Sequence, residues 1–519
     1  MQKIQSVTLL ILGLFLILSS FSACNDDFED YSRNPQDLLA FSTDTLSFDT
    51  VLTTVNSPVK AFMVYNPNNK PLLISSISLS EGENSNFRIN VDGFAGAMFQ
   101  DIEIRANDSI YILVSVKPAE TGQPTPTPFR DYVVFVTNSV QQKVVLQAHS
   151  QDVYKYQSLV LDRDTTLNNF KPFLIYDSLV INEGVTVEIQ EGTTFFMANN
   201  ALLMVRGTLK IRGTIENPVT FRGSRTDNLP LSPPIPYDLI PGQWRGIAFD
   251  STSYNNELEN VRIRNGRFGM IFRVSDPYKE KIKMKNVVLT NVSGTLVEAV
   301  NCHIVAENCE FSNAKDGLLY LVGGRYKFTH CTIANYYPSL KEAGWGNSEN
   351  RTLSLTDSLV ASDFVTTEHY PVLGFDVSNS IIAGAMTTSG ISISMMHEPS
   401  EPFNFLNCVS TNDKSDKNYI NYTDCVFDVK ADSLFQKVNY RNKQGEFWPV
   451  FDFGLLENSP ARNVANLEIS KQIPLDIRGV NRLEDGFPDV GAYEFTPQPP
   501  EGGVGAVSSS FRGSGGIKL

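Results

Sequence analysis

Asn260-Val261-Arg262-Ile263, Asn286-Val287-Val288-Leu289, Asn308-Cys309-Glu310-Phe311 and His330-Cys331-Thr332-Ile333 are four copies of one unit: polar, small, variable, apolar. The unit continues at Asp357-Ser358-Leu359-Val360, Asn379-Ser380-Ile381-Ile382, Asn407-Cys408-Val409-Ser410 and Asp424-Cys425-Val426-Phe427. Successive first positions are 26, 22, 22, 27, 22, 28 and 17 residues apart. A recurrent 22 with insertions is what three short strands and three bends consume in one turn of a parallel coil. Each turn climbs by one strand spacing, roughly 4.8 Å. Stacking then sets like on like, and a column of Asn can satisfy turn amides along the stack. Parallel crossovers wind right-handed. The expectation is an all-β chain dominated by a right-handed parallel β-helix solenoid. A leucine-rich horseshoe would need a repeated Leu-x-x-Leu-x-Leu spacing that is absent, and a propeller would need longer repeats of four strands.

Upstream of the repeats, Val205-Arg206-Gly207-Thr208-Leu209-Lys210-Ile211, Asn217-Pro218-Val219-Thr220-Phe221 and Trp244-Arg245-Gly246-Ile247 continue the strand-and-turn text. With Pro488-Asp489-Val490-Gly491-Ala492-Tyr493-Glu494-Phe495 near the end, they carry a resemblance to bacterial right-handed β-helix proteins of the pectate-lyase-like fold, over roughly residues 155 to 495. The pattern departs at Arg462-Asn463, where that family more often has Ile-Asp. The resemblance implies that residues 437–496 form a closing segment over the last coil, whose open edge would otherwise template aggregation. In the cluster Phe447-Trp448-Pro449-Val450-Phe451-Asp452-Phe453, a plug for the end of the core is favoured over a sugar-stacking surface.

Residues 39–150 alternate with period two, as in Ser109-Ile110-Tyr111-Ile112-Leu113-Val114-Ser115-Val116 and Tyr132-Val133-Val134-Phe135-Val136. About seven strands in this length suggest an antiparallel β-sandwich. The turn at Asn66-Pro67-Asn68-Asn69 and the strand Phe87-Arg88-Ile89 resemble immunoglobulin-like modules of the abnormal-spindle and choice-of-anchor type. That resemblance implies a spacer or adhesive module.

The N-terminus reads as an address. Lys3 precedes the apolar run Val7 to Leu18, too short to span a bilayer comfortably, and small residues end in Ser22-Ala23-Cys24. This resembles a lipobox, with Phe21 where Leu is usual, and implies a signal peptide over 1–23 and lipidation of Cys24. The acidic tether over 24–38 opens Asn25-Asp26-Asp27-Phe28-Glu29-Asp30, which looks like the surface-export signal of Bacteroidetes lipoproteins. The implied location is the outer membrane, facing the exterior. Asp-Ser/Thr triplets resemble the O-glycosylation acceptor of the same phylum, with Thr45 and Thr50 the best placed. The expected order is therefore lipid, tether, sandwich over 39–150, β-helix over 151–436, closing segment over 437–496, and a Gly/Ser-rich disordered tail over 497–519.

With 43 Lys and Arg against 57 Asp and Glu, the net charge of −14 argues against a nucleic-acid partner. Cys302, His303, Cys309, His330 and Cys331 fit no common structural-zinc spacing; Cys309 and Cys331, like Cys408 and Cys425, fall at equivalent inward positions and read as stacked buried thiols, although a disulfide between coils stays open. No catalytic or metal-binding residue is assigned and no cofactor is expected. Lyases on the pectate-lyase-like fold use Lys or Arg as base, often with Ca²⁺ held by Asp. Candidates under that alternative are Arg245, Arg262, Arg264 and Arg267 with Asp250, or Asp316, Asp357 and Asp376. Tyr336, Tyr337 and Trp345, in an insertion between coils, are the candidate ligand contacts. The leading expectation is a non-catalytic surface protein that binds or scaffolds a polysaccharide or another cell-surface partner. The alternative is a polysaccharide lyase or glycoside hydrolase.

Overall fold

The computed structural model describes residues 31–229, 235–337, 351–360, 366–385, 390–438 and 451–497. Cys24, Trp345, Phe447, Trp448 and the tail beyond residue 497 lie outside them. Strand makes up 53% of the chain and helix 3%, so the fold is all-β. Backbone packing divides it into two compact units near Ser150, with the loop Thr121–Pro126 belonging to the second.

The first unit holds two five-stranded antiparallel sheets. One is built from Ala40–Phe41, Lys60–Tyr65, Ser109–Val116, Phe87–Val91 and Phe94–Gly96. The other is built from Thr45–Leu52, Val140–Gln151, Thr127–Thr137, Leu72–Leu79 and Met98–Ile104. Alternate residues point inward, as period two requires, so Phe62, Val64, Ile112 and Val114 of one sheet share an apolar cluster with Ile74, Val133, Phe135 and Leu146 of the other. The turn at Asn66 is closed from inside. Its buried amide donates to the carbonyls of Lys70, Ile104 and Arg105 at 2.9–3.1 Å.

The second unit contains one parallel sheet of 25 strands. Its pairings fall into three ladders that the chain visits in rotation. The first runs through Leu202–Val205, Gly246–Phe249, Met270–Phe272, Thr295–Val300, Gly317–Val322, Leu353–Thr356 and Ile391–Ser394. The second takes Thr208–Arg212, the first part of Asn256–Arg264, the first part of Glu280–Val292, His303–Glu307, Gly324–Thr329, Val372–Ser378 and Phe403–Leu406. The third takes Val219–Gly223, the rest of Asn256–Arg264, the rest of Glu280–Val292, Glu310–Ala314, Thr332–Asn335, Ile381–Gly384 and Val409–Ser410.

Between the second and third ladders the chain turns on the repeated polar residue. Asn260, Asn286, Asn308, His330, Asn379, Asn407 and Asp424 all have φ between 46° and 56°. This left-handed region costs most L-residues roughly 1–2 kcal/mol and is tolerated best by Asn and Asp among side-chain-bearing residues. The column is also a hydrogen-bonded ladder: Asn286 donates to Asn260 at 3.0 Å and Asn308 to Asn286 at 2.7 Å. Asp357 does not belong to it. The segment Ser358–Val360 leaves the parallel ladders and pairs antiparallel with Thr367–His369.

Inside the ladders, like does stack on like. The rings of Phe173, Phe195 and Phe221 follow one another at 4.9 and 4.6 Å, and Phe249 and Phe272 at 4.7 Å. Cys302, Cys309, Cys331 and Cys408 are buried and Cys425 half-buried, all as free thiols. Gly207 is required by space, since a Cβ there would run into the carbonyl oxygens of Val185 and Asn182.

The C-terminal segment is not placed as the sequence suggested. Rather than covering only the last coil, it packs along the outward face of the third ladder. Leu434 and Phe435, just before the segment, and its own Phe453, Leu455, Ala461, Val490, Ala492 and Tyr493 bury a second apolar cluster with Val288, Ala334, Ile381, Ala383 and Val409. Its polar ties run the same length: Asn407 donates to Val464 O at 2.9 Å, Gly491 to Asn379 O at 2.9 Å, and Arg482 to Asn308 Oδ1 at 2.7 Å. The third residue of each repeat points outward, and in units such as Val288, Ile381 and Val409 it is apolar. That face needs a cover, and the C-terminal segment supplies it.

Candidate functional site

The outward column of the third ladder reads Thr220, Arg262, Val288, Glu310, Thr332, Ile381 and Val409, each paired with the next. Two of these are charged, and both lie in a cleft between the ladder and the C-terminal segment. The cleft encloses about 760 Å³, open solvent included, and is walled by Arg262, Arg264, Glu310, Phe451, Asp452, Arg478 and Tyr493 among others.

Its charges are unevenly matched. Arg264 forms a two-toothed bridge to Asp238, with Nε and Nη2 each 3.0 Å from a carboxylate oxygen. Arg478 Nη2 lies 3.1 Å from Asp452 Oδ1, and its guanidinium stacks 4.4 Å from the Tyr493 ring. Glu310 is buried at 5% exposure, and both its oxygens are engaged. Ser312 Oγ lies 2.6 Å from Oε1, and the Tyr493 hydroxyl donates to Oε2. Burial pushes the Glu310 carboxyl upward, favouring its neutral form. Arg262 makes no salt bridge among the described residues, and its buried Nε has no hydrogen-bond partner there. Burial lowers its pKa, but a guanidinium starts so high that it stays charged near neutrality. A half-buried cation facing a cleft without its own carboxylate is suited to a carboxylate or sulfate brought by a ligand.

Of the candidates named from sequence, Arg262 and Arg264 come together here. Arg245, Arg267, Asp250, Asp316 and Asp376 are not among the residues lining the cleft. Tyr336 and Tyr337 do not project as expected: they are 3% and 2% exposed. The Tyr336 hydroxyl donates to Ala431 O at 2.8 Å within the outer apolar cluster, which removes both rings as surface ligand contacts. Thr45 and Thr50 lie, partly exposed, on the strand Thr45–Leu52 of the first unit. Phe451 and Phe453 of the expected plug stack 6.2 Å apart on the cleft wall. Sequence reasoning missed Glu310, Asp452, Arg478 and Tyr493. The available signal was the third position of the repeat, where Arg262 and Glu310 interrupt an otherwise uncharged series.

No protein-family model matches the chain, and no curated protein matches it. Among solved structures, a protein of unknown function from Porphyromonas gingivalis is similar at 13% identity and a TM-score of 0.17, over 22% of this chain and 46% of that one. An ASH/PapD-like domain of human CEP192 is similar at 8% identity and 0.16, over 25% of this chain and 96% of that one. A family 123 glycoside hydrolase from Clostridium perfringens is similar at 9% identity and 0.17, over 24% and 26%. This chain thus spans about half the length of the first of these structures, and likenesses this slight assign it neither fold nor activity.

Proposed function

We propose that the chain is a lipid-anchored protein of the bacterial cell exterior whose parallel sheet is wound as a right-handed β-helix, and that the cleft around Arg262 binds an acidic glycan without turning it over. The rotation of the chain through three ladders and the left-handed Asn column support the β-helix. Ser22-Ala23-Cys24 and the acidic run after it support the anchor and display. The antiparallel sheets of the first unit suit an immunoglobulin-like spacer.

The observation that carries the binding reading is the unmatched cation of Arg262 beside a Glu310 whose oxygens are already occupied. A uronate carboxylate or a sulfate would complete the bridge that Arg264 and Arg478 make internally. The sealed carboxyl of Glu310 has no free oxygen with which to protonate a leaving group.

Wild-type protein titrated with uronate oligosaccharides by calorimetry is expected to bind them, and to ignore neutral oligosaccharides of equal length. Arg262→Gln should weaken binding at least about tenfold, the scale of a lost charge-assisted hydrogen bond. Equal affinity for neutral sugars, or an unchanged Arg262→Gln variant, refutes the reading. A second reading is lyase action with Arg262 as base, since its guanidinium faces the cleft and its Nε has no hydrogen-bond partner among the described residues. It predicts ultraviolet-absorbing unsaturated product from the same oligosaccharides, abolished by Arg262→Gln.

The anchor has its own check. Cells expressing the chain and fed a fatty-acid probe should label it, and Cys24→Ala should remove the label. A variant that stays labelled rules out lipidation at Cys24.

A further inference from the structure

Asp357 breaks the repeat, and the reason lies at the edge of the first ladder. It follows directly on the strand Leu353–Thr356, whose last residue pairs with Ser394 of the parallel strand Ile391–Ser394. Three residues beyond Ser394 the chain reaches His397. On the other side, Ser358 pairs antiparallel with His369, and Tyr370 donates its amide to Asp357 O at 2.8 Å. Two strand registers thus deliver one carboxylate and two of the chain's five histidines to the same point.

The geometry there is that of a ligand set. Asp357 Oδ2 lies 3.2 Å from His397 Nδ1 and 3.4 Å from His369 Nδ1, and the two rings are 4.0 Å apart at their centroids. One donor atom from each residue falls within 4.8 Å of the others. Donor atoms around a tetrahedral Zn²⁺, with bonds of about 2.0–2.1 Å, stand about 3.3 Å from one another. The carboxylate is held in place independently of the imidazole rings, since the amides of Met396 and His397 donate to Oδ1 and Oδ2 at 2.8 and 2.9 Å. Its side chain is 3% exposed, whereas those of His369 and His397 are 40% and 63% exposed. The base of the site is therefore fixed, and its mouth faces solvent.

We propose that Asp357, His369 and His397 bind a single divalent cation of the Zn²⁺ class. Two imidazoles and one carboxylate suit a borderline first-row ion and not Ca²⁺ or Mg²⁺, which take oxygen donors. Three protein ligands leave a fourth position, open to water or to an oxygen atom of a ligand. Metal there also ties the antiparallel hairpin to the segment after Ile391–Ser394, three pieces of chain that no disulfide joins.

The test uses full-length protein without a histidine tag, stripped with a chelator and titrated with Zn²⁺ against a chromophoric zinc indicator. One Zn²⁺ per chain is expected, unaffected by excess Ca²⁺. Loss of one ligand should weaken binding by about tenfold or more, because even removal of an outer-shell partner costs about 10- to 100-fold. His369→Ala and His397→Ala are the informative variants, because both side chains are exposed and the Met396 and His397 amides still hold Asp357, so the metal-free protein should stay folded, as circular dichroism checks. Co²⁺ in the same site should give the intense visible absorption of a four-coordinate ion, and the double variant should lack it. No Zn²⁺ bound by wild-type protein, or the same affinity and spectrum in the double variant, overturns the proposal.

Discussion

Replacing Arg482 by Ala should detach the C-terminal segment from the ladder it covers. Arg482 is fully buried. Its Nη1 lies 3.2 Å from Glu494 Oε2, and its Nη2 reaches Asn308 Oδ1 at 2.7 Å and Gly491 O at 3.0 Å. One side chain thus joins the Asn column, the backbone of the segment and its buried carboxylates. Removing it leaves the buried acceptors of Asn308, Gly491 and Glu494 without their donor, at about 1–3 kcal/mol for each group left unsatisfied. The loss should be local, since elements of a repeat array open without their distant neighbours. Hydrogen exchange should therefore rise in residues 451–496 while amides of Phe195–Met197 and Val219–Gly223 keep their protection. The defect should also depend on pH. Burial first, and then the neighbouring Asp489, push the Glu494 carboxyl up to about 8 from an ordinary 4.5. A group raised in this way stabilises the folded state fully below its unfolded value, and that contribution is lost as pH rises toward the folded one. Without Arg482 the folded value climbs further, so the variant should recover part of its loss between pH 8 and pH 5. Unchanged exchange in residues 451–496 would contradict the assigned role.

The parallel ladders were legible because they are periodic. Four-residue units at a recurring 22 carry their own register, and the residue that opens each one is the type that tolerates the left-handed turn found there. The partner of the outward face was not legible. The third positions mix apolar residues with Arg262, Glu310 and Thr332, a text that solvent or a covering segment could equally satisfy. Only the fold shows that residues 451–495 lie upon it. Tyr336 and Tyr337 were misread for the same reason: next to an insertion they suggested a projecting surface, but the cover brings Ala431 and Phe435 over Tyr336. Asp357 was misread in the opposite direction. Its neighbours Ser358, Leu359 and Val360 imitate the repeat, yet His369 and His397 lie 12 and 40 residues away in sequence, a spacing that fits no metal motif. Their meeting depends on two strand registers, which a single sequence does not reveal.

The second large effect is expected at Asp238. Arg222 and Arg264 stand one residue beyond the paired Phe221 and Ile263, so two guanidinium groups face one another across adjacent strands. Like charges in such a pair repel, and Asp238, carried in by the turn Tyr237–Leu239, lies between them. Its Oδ1 is 3.1 Å from Arg222 Nη2 and its Oδ2 is 3.0 Å from Arg264 Nη2. Burial lowers Arg222 to about 10, and Asp238 opposes that shift. For Asp238, burial works to raise the carboxyl, but Arg264 and Arg222 together outweigh it and hold the group below its ordinary 3.8. Asp238→Ala should cost about 3–5 kcal/mol in denaturant unfolding, since it strands two buried cations. Asp238→Asn, of nearly the same shape, should cost almost as much if charge is the cause. A second substitution decides it. Arg222→Met in the Asp238→Asn background removes one of the stranded cations and should restore stability, giving a favourable coupling in the double-mutant cycle. Additive losses would mean that packing of the turn, and not the charge, holds it in place. The acid limb gives an independent reading. A depressed carboxyl contributes stability that is present above its unfolded value and lost as pH falls through the folded one. Wild-type protein should therefore lose that contribution below about pH 3.8, and Asp238→Asn should show no such step. Because Arg264 also walls the cleft beside Arg262, Asp238→Asn frees a second cation there and should tighten acidic-glycan binding, whereas Arg222→Met with Asp238 intact should leave it unchanged.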